Sequence, residues 1–568
     1  QAEVEGGRVV AVHPIAQEKD PSPIGRSIPG TVDGPLRIRE PMVRAGWLER
    51  RHDSDTSRRG AEPFVPLAWD EALDLVAGEI ERVRRAHGPA AIYAGSYGWA
   101  SAGRFHHAQS QLHRFFNLAG GYTRSVNSYS YATAEVILPR VVGRLREVLD
   151  QATDWSSIAK DGELVVMFGG IPLKNAQVNS GGVAAHRTRA WLERCRAAGV
   201  RFVYLGPLRQ DTAEFLDAQW LPLQPNTDVA VMLALAHTLV KDGVHDEAFL
   251  ERCCTGFERF LPYLMGETDG QPKDAAWAAR ISGLDAEAIL ALARRMAKSR
   301  TMISLSWSLQ RADHGEQPYW MGVTLAAMLG QIGLSGCGFG CGYGAVHGIG
   351  MPSAQLRFAA VGQGRRPIDS FIPVARITEL LERPGGTLDY DGRTLALPDI
   401  RMIYWAGGNP FHHHQDLNRL LRAWRKPETV VVHEPHWNAL ARHADIVLPA
   451  TTPLERNDIA ATTLDPFIVA MHQAIPPVGA AQSDHDIFKG LARRLGFEDA
   501  FSEGRSEMEW LRHLYDRSRQ EAARQGLELP PFEAFWEQGV LELPAPARPR
   551  ILLAEFRDNP DAHPLITP

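Results

Sequence analysis

The sequence predicts an α/β protein with parallel, doubly wound sheets in two related lobes. Three observations carry that prediction. Short, wholly apolar strands alternate with amphipathic helices along most of the chain. Each strand is closed by a turn holding Gly, Pro or Asn. Polar side chains of useful chemistry gather in those turns. Strands covered by helices on both faces read as continuous apolar runs, and ligands then bind beyond their carboxyl ends.

The first sixty residues are rich in Pro, Gly and Arg, with one strand-like run over 7–12. Helical order begins at Asp70, read as an N-cap. Leu73, Val76, Ala77, Ile80 and Val83 then repeat at the spacing of one buried helix face, and Gly88-Pro89 stops the helix. The string AIYAGSYGW follows as a strand entering a glycine turn. The same unit recurs at 163–168 before Gly169-Gly170, at 200–205 before Gly206-Pro207, and at 401–406 before GGNP. Further strands run over 428–432 before HEP and over 445–448 before Pro449, and residues 285–298 form a clean amphipathic helix. Between the lobes, the segment 336–350 holds seven glycines. It is read either as a flexible connection or as backbone that closely approaches a ligand. Beyond about Pro477 helices are joined by polar, Pro-rich stretches, and the closing string DNPDAHPLITP reads as a stop at a domain boundary.

Composition bounds the function. The 568 residues carry 61 basic and 67 acidic side chains, a formal charge of −6, so no concentrated basic surface for nucleic acid is expected. At 44% apolar and 23% charged the chain lies near globular averages. The longest apolar run, 229–240, is well short of the roughly 20 residues of a membrane helix and contains His237. Five cysteines without a C-x2-C pair argue against a disulfide scaffold, a zinc ribbon or a thiolate-held iron–sulfur cluster. The adjacent Cys253 and Cys254 are read as a packed helix end. The N-terminal string lacks the features of a secretion signal, which leaves a cytoplasmic protein or one whose leader has been removed.

The strand-end turns supply Tyr97, Gly98 and Trp99, with Ser130 nearby, then Lys174 and Asn175, then Pro225, Thr227 and Asp228, then Trp307, Ser308 and Arg311. The later strands add Asn409 and His413, His433 and Glu434, Arg456 and Asp458, and finally Asp484. Singly, each has an ordinary structural role: an Asp caps a helix, a Trp fills a core, and the triple histidine 412–414 is a solvated loop. A hydrolase lacks its G-x-S-x-G elbow here. The one G-x-G-x-x-G lies in the glycine-rich segment with no strand before it, a weak dinucleotide signal. Together the residues suit a large ligand with purine rings and pyrophosphates, which carboxylates, Arg and backbone N–H groups can hold.

The strings GSYGWASAGRFHHAQSQLHRFFNLAGGY and SYSYATAEVILPRVVG resemble the dimethyl sulfoxide reductase family of molybdenum enzymes. So do QPNTDVAVMLALAHTLV, FLPYLMGETDG, WSLQRADHGEQPYWM, GGNPFHHHQDLNR and RHADIVLPATTPLERND. The similarity is to the branch that reduces S-oxides and N-oxides, and it spans essentially the whole chain. It implies a molybdenum ion held by two molybdopterin guanine dinucleotides, without an iron–sulfur cluster. Ser130 matches the serine that ligates the metal, Trp99 the residue that hydrogen-bonds its oxo group, and Tyr97 a tyrosine that positions the substrate oxygen. Trp99, Lys174, Asn175, Thr227, Asp228, Trp307, Ser308, Arg311, Asn409, His413, His433, Glu434, Arg456 and Asp484 match cofactor-contacting positions.

The implied reaction is oxygen-atom transfer from a sulfoxide or N-oxide. The implied donor, in a periplasmic enzyme, is a membrane-anchored multihaem c-type cytochrome. The chain is expected to be a monomer that neither spans a membrane nor binds nucleic acid. It is expected in the periplasm, or in the cytoplasm if it is of the biotin sulfoxide type. Departures from the family pattern are Gly206 in place of an acidic residue, Glu434 in place of Asp, and IAATTLDP after Asp458. The resemblance also implies a further C-terminal β-barrel domain beyond this sequence. The expected domains are residues 1–60 with 470–568, irregular α+β; 61–160 with 395–469, one cofactor-binding lobe; and 161–394, the other. The rival from another class is a non-catalytic descendant serving as a structural or binding module. A molybdenum hydroxytransferase or dehydrogenase is a third reading, disfavoured by Ser130.

Overall fold

A computed structural model describes residues 1–565. The last three residues of the closing string, Ile566 to Pro568, lie outside the described residues. The described chain divides into two compact units, one of residues 1–129, 180–184 and 355–543, the other of 130–179, 185–354 and 544–565.

The first unit is built on a six-stranded sheet. Its order is Phe64–Pro66, Met42–Arg44, Ile446–Leu448, Thr429–His433, Met402–Ala406, Ile92–Gly95. The last four strands are mutually parallel, as expected. The first two are antiparallel additions at one edge, from a stretch where the sequence marks only the run over 7–12. Side chains alternate between two buried layers: Tyr404, Val431 and Ile446 pack on one face, and Ile403, Val430 and Val447 on the other. The helix Trp69–His87 covers the first face with the five apolar residues the periodicity selects. Its N-cap is Ala68, so Asp70 lies within the first turn, where its carboxylate meets the positive end of the helix.

The second unit holds a five-stranded, wholly parallel sheet in the order Gly338–Cys341, Thr301–Leu305, Leu164–Phe168, Arg201–Leu205, Gln219–Leu221. Both of its faces are buried as well. The helix Ala286–Lys298 covers one of them, with Asp285 as its N-cap.

The glycine-rich segment corrects its first reading. Gly338–Cys341 is a fully buried edge strand, and the residues after it are buried rather than a loose connection. The close approach is to aromatic rings of the same unit. A Cβ on Gly340 would lie 2.2 Å from the Tyr343 ring, and one on Gly342 would lie 2.2 Å from the Trp307 indole nitrogen. Cys253 ends the helix Glu247–Cys253 and Cys254 caps it, and all five cysteines are free thiols. Among the described residues no helix is long and apolar enough to cross a membrane.

Candidate active site

In the first unit the candidate residues stand at the carboxyl ends of the parallel strands. Tyr97 follows the strand Ile92–Gly95 and its backbone N–H donates to the Gly407 carbonyl at 2.8 Å. Its ring is clamped by Trp405 at 4.8 Å and His413 at 5.1 Å between centroids. Trp99 lies in the short turn Gly98–Ala100 and is 41% exposed, an unusual state for an indole this close to a sheet.

The loop that follows is anchored from below. The buried Asp458 carboxylate accepts the backbone N–H groups of Arg104, Phe105 and His106 at 2.9–3.0 Å. A Cβ on Gly103 would fall 1.8 Å from that carboxylate, so glycine is required there.

Asn409 caps the turn Pro410–His412, its Oδ1 accepting from the Phe411 N–H at 2.9 Å. Its Nδ2 is buried without a hydrogen-bond partner. His413 is exposed, whereas His414 is buried, with Nδ1 2.8 Å from the Tyr129 hydroxyl and Nε2 2.6 Å from Thr378 Oγ1. The triple histidine is therefore not a uniformly solvated loop. The sequence does not single out His414, because adjacent identical residues carry no sign of which one turns inward.

His433, Arg456 and Asp484 come together in one buried cluster. His433 joins Asp484 through Nδ1 at 2.9 Å and the Tyr404 hydroxyl through Nε2 at 2.6 Å. Arg456 lies 3.9 Å from Asp484 and donates to the Thr451 carbonyl at 3.0 Å, while its Nε is buried without a partner. Burial would raise the Asp484 carboxyl, but the His433 hydrogen bond and the charges of His433, Arg456 and His106 outweigh it and hold it low. Glu434, next along the strand end, goes the other way. Burial pushes it up to about 7, only partly offset by hydrogen bonds from Asn438 and the His436 N–H.

In the second unit Ser130 lies just before the helix Ala132–Val142 and is half-buried. Trp307 and Ser308 open the short turn Trp307–Gln310, capped by Ser306, with the exposed Arg311 closing it. Ser308 Oγ is 2.9 Å from Ser306 Oγ, and the Trp307 ring packs at 4.3 Å on Tyr131. Gly169 fits against this turn because a Cβ would lie 2.5 Å from Ser306. Lys174 and Asn175 are exposed, with Lys174 Nζ 3.4 Å from Asp211. Thr227 is the N-cap of the helix Asp228–Lys241, but its hydroxyl donates to the Gln224 carbonyl at 2.6 Å instead of capping. Burial raises the Asp228 carboxyl to about 6.

A family model, molybdopterin oxidoreductase, matches residues 37–494. The chain belongs to the molybdopterin oxidoreductase family. Biotin sulfoxide reductase of Cereibacter sphaeroides is 50% identical over 559 residues, covering 98% of this chain and 75% of that protein. Dimethyl sulfoxide/trimethylamine N-oxide reductase of Rhodobacter capsulatus is 43% identical over 583 residues, covering 100% and 70%. Among solved structures, acetylene hydratase from Pelobacter acetylenicus shares the fold at a TM-score of 0.62 and 18% identity, over 96% of this chain and 72% of that one.

A molybdenum–pterin group is what this molybdopterin oxidoreductase chain implies, and its own residues fit one. In the first unit the buried Asn409 Nδ2 and Arg456 Nε lack protein acceptors and burial raises the Glu434 carboxyl to about 7; in the second, burial raises the Asp228 carboxyl to about 6. Such donors and acceptors at strand ends match the phosphate and heterocycle of a molybdenum–pterin group.

Proposed function

We propose that this chain reduces S-oxides or N-oxides by oxygen-atom transfer, each oxide taking two electrons and two protons to give the sulfide or amine and water. The observation that carries this reading is similarity at 43–50% identity, over essentially the whole chain, to reductases named for biotin sulfoxide, dimethyl sulfoxide and trimethylamine N-oxide. When bound, the molybdenum–pterin group supplies the two-electron oxygen-accepting chemistry. We take it to be the bis(guanine dinucleotide) form, with no iron–sulfur cluster beside it.

In this reading Ser130 holds the metal through its side-chain oxygen. The exposed Trp99 indole N–H and the Tyr97 hydroxyl donate to the oxygen being transferred, fixing its direction. The further cofactor-contacting positions in this reading are Lys174, Asn175, Thr227, Asp228, Trp307, Ser308, Arg311, Asn409, His413, His433, Glu434, Arg456 and Asp484. Electrons come from a separate donor, a multihaem c-type cytochrome for a periplasmic monomer.

The test is metal and guanine content per chain, followed by oxide reduction with a reduced dye. One molybdenum, two guanines and turnover are expected. Ser130→Ala is expected to abolish turnover without changing the far-UV circular dichroism; undiminished turnover in that variant removes Ser130 as the metal ligand.

A further inference from the structure

A line of hydrogen-bonded side chains leads away from Tyr97 within the first unit. The Tyr97 and Tyr129 hydroxyl oxygens are 3.2 Å apart. The Tyr129 oxygen is also 2.7 Å from the Val374 carbonyl and 2.8 Å from His414 Nδ1. His414 Nε2 is in turn 2.6 Å from Thr378 Oγ1.

Counting protons assigns the roles. A carbonyl has none to give, so Tyr129 donates to Val374. A phenol has one proton, so toward Tyr97 and His414 the Tyr129 oxygen accepts. His414 then carries its proton on Nδ1, and Nε2 accepts from Thr378. Burial, with Arg419 assisting and Glu379, Asp416 and the Val374 carbonyl opposing, lowers the His414 pKa, which favours the neutral ring that a single tautomer requires. The Tyr97 proton at rest is directed at Tyr129. Its ring is held by Trp405, His413 and Tyr129, the last at 5.9 Å edge-on, so the hydroxyl proton is the part free to turn.

We propose that Tyr129, oriented by His414, is a positioning residue that switches Tyr97 between holding its proton and presenting it to the oxide. As an S=O or N–O oxygen arrives, Tyr97 turns its proton to that oxygen. Tyr129 turns its own proton from the Val374 carbonyl to the Tyr97 oxygen, while His414 goes on donating to Tyr129. No covalent bond forms or breaks. Four hydrogen bonds, from Thr378 through His414, Tyr129 and Tyr97 to the oxide, then point the same way and polarise one another, so Tyr97 donates more strongly than an isolated phenol. The inference rests on Tyr97 facing the oxide, as read above.

The experiment is a double-mutant cycle on the cofactor-loaded enzyme with Tyr97→Phe, Tyr129→Phe and both, read as kcat/KM on dimethyl sulfoxide and trimethylamine N-oxide. It is joined to 19F NMR of 3-fluorotyrosine placed at position 97, recorded without substrate. Tyr129→Phe is expected to cost about tenfold, the worth of one good hydrogen bond, and the double variant to be no worse than Tyr97→Phe alone. His414→Leu should follow Tyr129→Phe, and His414→Asn, which offers an amide N–H near the Nδ1 position, should recover most of the loss. The 19F resonance should move in Tyr129→Phe and in His414→Leu. Losses that multiply in the double variant, or a 19F resonance indifferent to Tyr129, overturn the switch alone. Full turnover in Tyr97→Phe overturns the role of Tyr97 and the switch with it.

Discussion

The two edges of the six-stranded sheet use buried charge in opposite ways. At the amino-terminal edge of its parallel strands the Asp445 carboxylate accepts from Arg44 at 2.8 Å, from Arg59 at 2.6 Å and from the Val430 N–H at 2.8 Å. The other nitrogens of Arg44 donate to Ser54, Glu62 and the Asp55 carbonyl, Arg59 Nη1 donates to the Trp424 carbonyl, and Arg59 Nη2 also reaches the Pro427 and Glu428 carbonyls. At the carboxyl edge Asn409 Nδ2 and Arg456 Nε have no acceptor, Glu434 is pushed up to about 7, and Trp99 stands 41% exposed. A saturated edge holds the sheet; an undersatisfied one has bonding capacity left for a ligand.

Three substitutions probe this contrast, the largest effect first. Asp445→Ala strips the shared acceptor from two buried guanidiniums and should cost about 3–5 kcal/mol in denaturant unfolding. A loss below about 1 kcal/mol would erase the contrast from its saturated side.

Glu434→Gln should act the other way. A carboxyl raised when folded keeps its proton while the unfolded chain has lost it, so wild-type stability should fall as pH rises from about 4.3 to about 7 and level off above. The amide variant should lack that slope and gain up to about 3 kcal/mol at pH 8. Parallel stability-against-pH curves for the two proteins would mean that Glu434 is not strained.

Asn409→Ser keeps an acceptor for the Phe411 N–H and removes only the unpartnered Nδ2. Its melting curve should shift by less than about 1 kcal/mol, while cofactor occupancy falls. A large destabilisation would place Asn409 with the structural edge instead.

The amino-acid order makes some of this legible and hides the rest. The parallel strands and their helices follow from apolar runs and periodicity, and strand-end residues inherit their place from the strand before them. The edge strands Met42–Arg44 and Phe64–Pro66 are three residues each, too short to set a pattern, and Arg44 breaks any apolar run because it reaches Asp445. Gly340 and Gly342 read as looseness because nothing in the sequence marks the rings that exclude a side chain there, Tyr343 and Trp307, as their neighbours. His413 and His414 are indistinguishable as letters, yet only one is buried. Resemblance to a family singled out Ser130, Trp99 and Tyr97, whereas the bonds that aim Tyr97 depend on Thr378 and His414, 281 and 317 residues further along the chain than Tyr97.

The discontinuity of the two units has a consequence for biosynthesis. In the first unit an antiparallel sheet of Asp458–Ala461 and Phe467–Met471 is completed only by Val540–Glu542, and the second ties Asp154 and Thr153 to the backbone N–H groups of Arg550 and Leu552. A nascent chain emerging at roughly 5–20 residues per second carries both units unfinished until its last closing segments leave the ribosome. The strand Leu164–Phe168, for its part, has no Thr301–Leu305 to pair with until more than 130 further residues have been made.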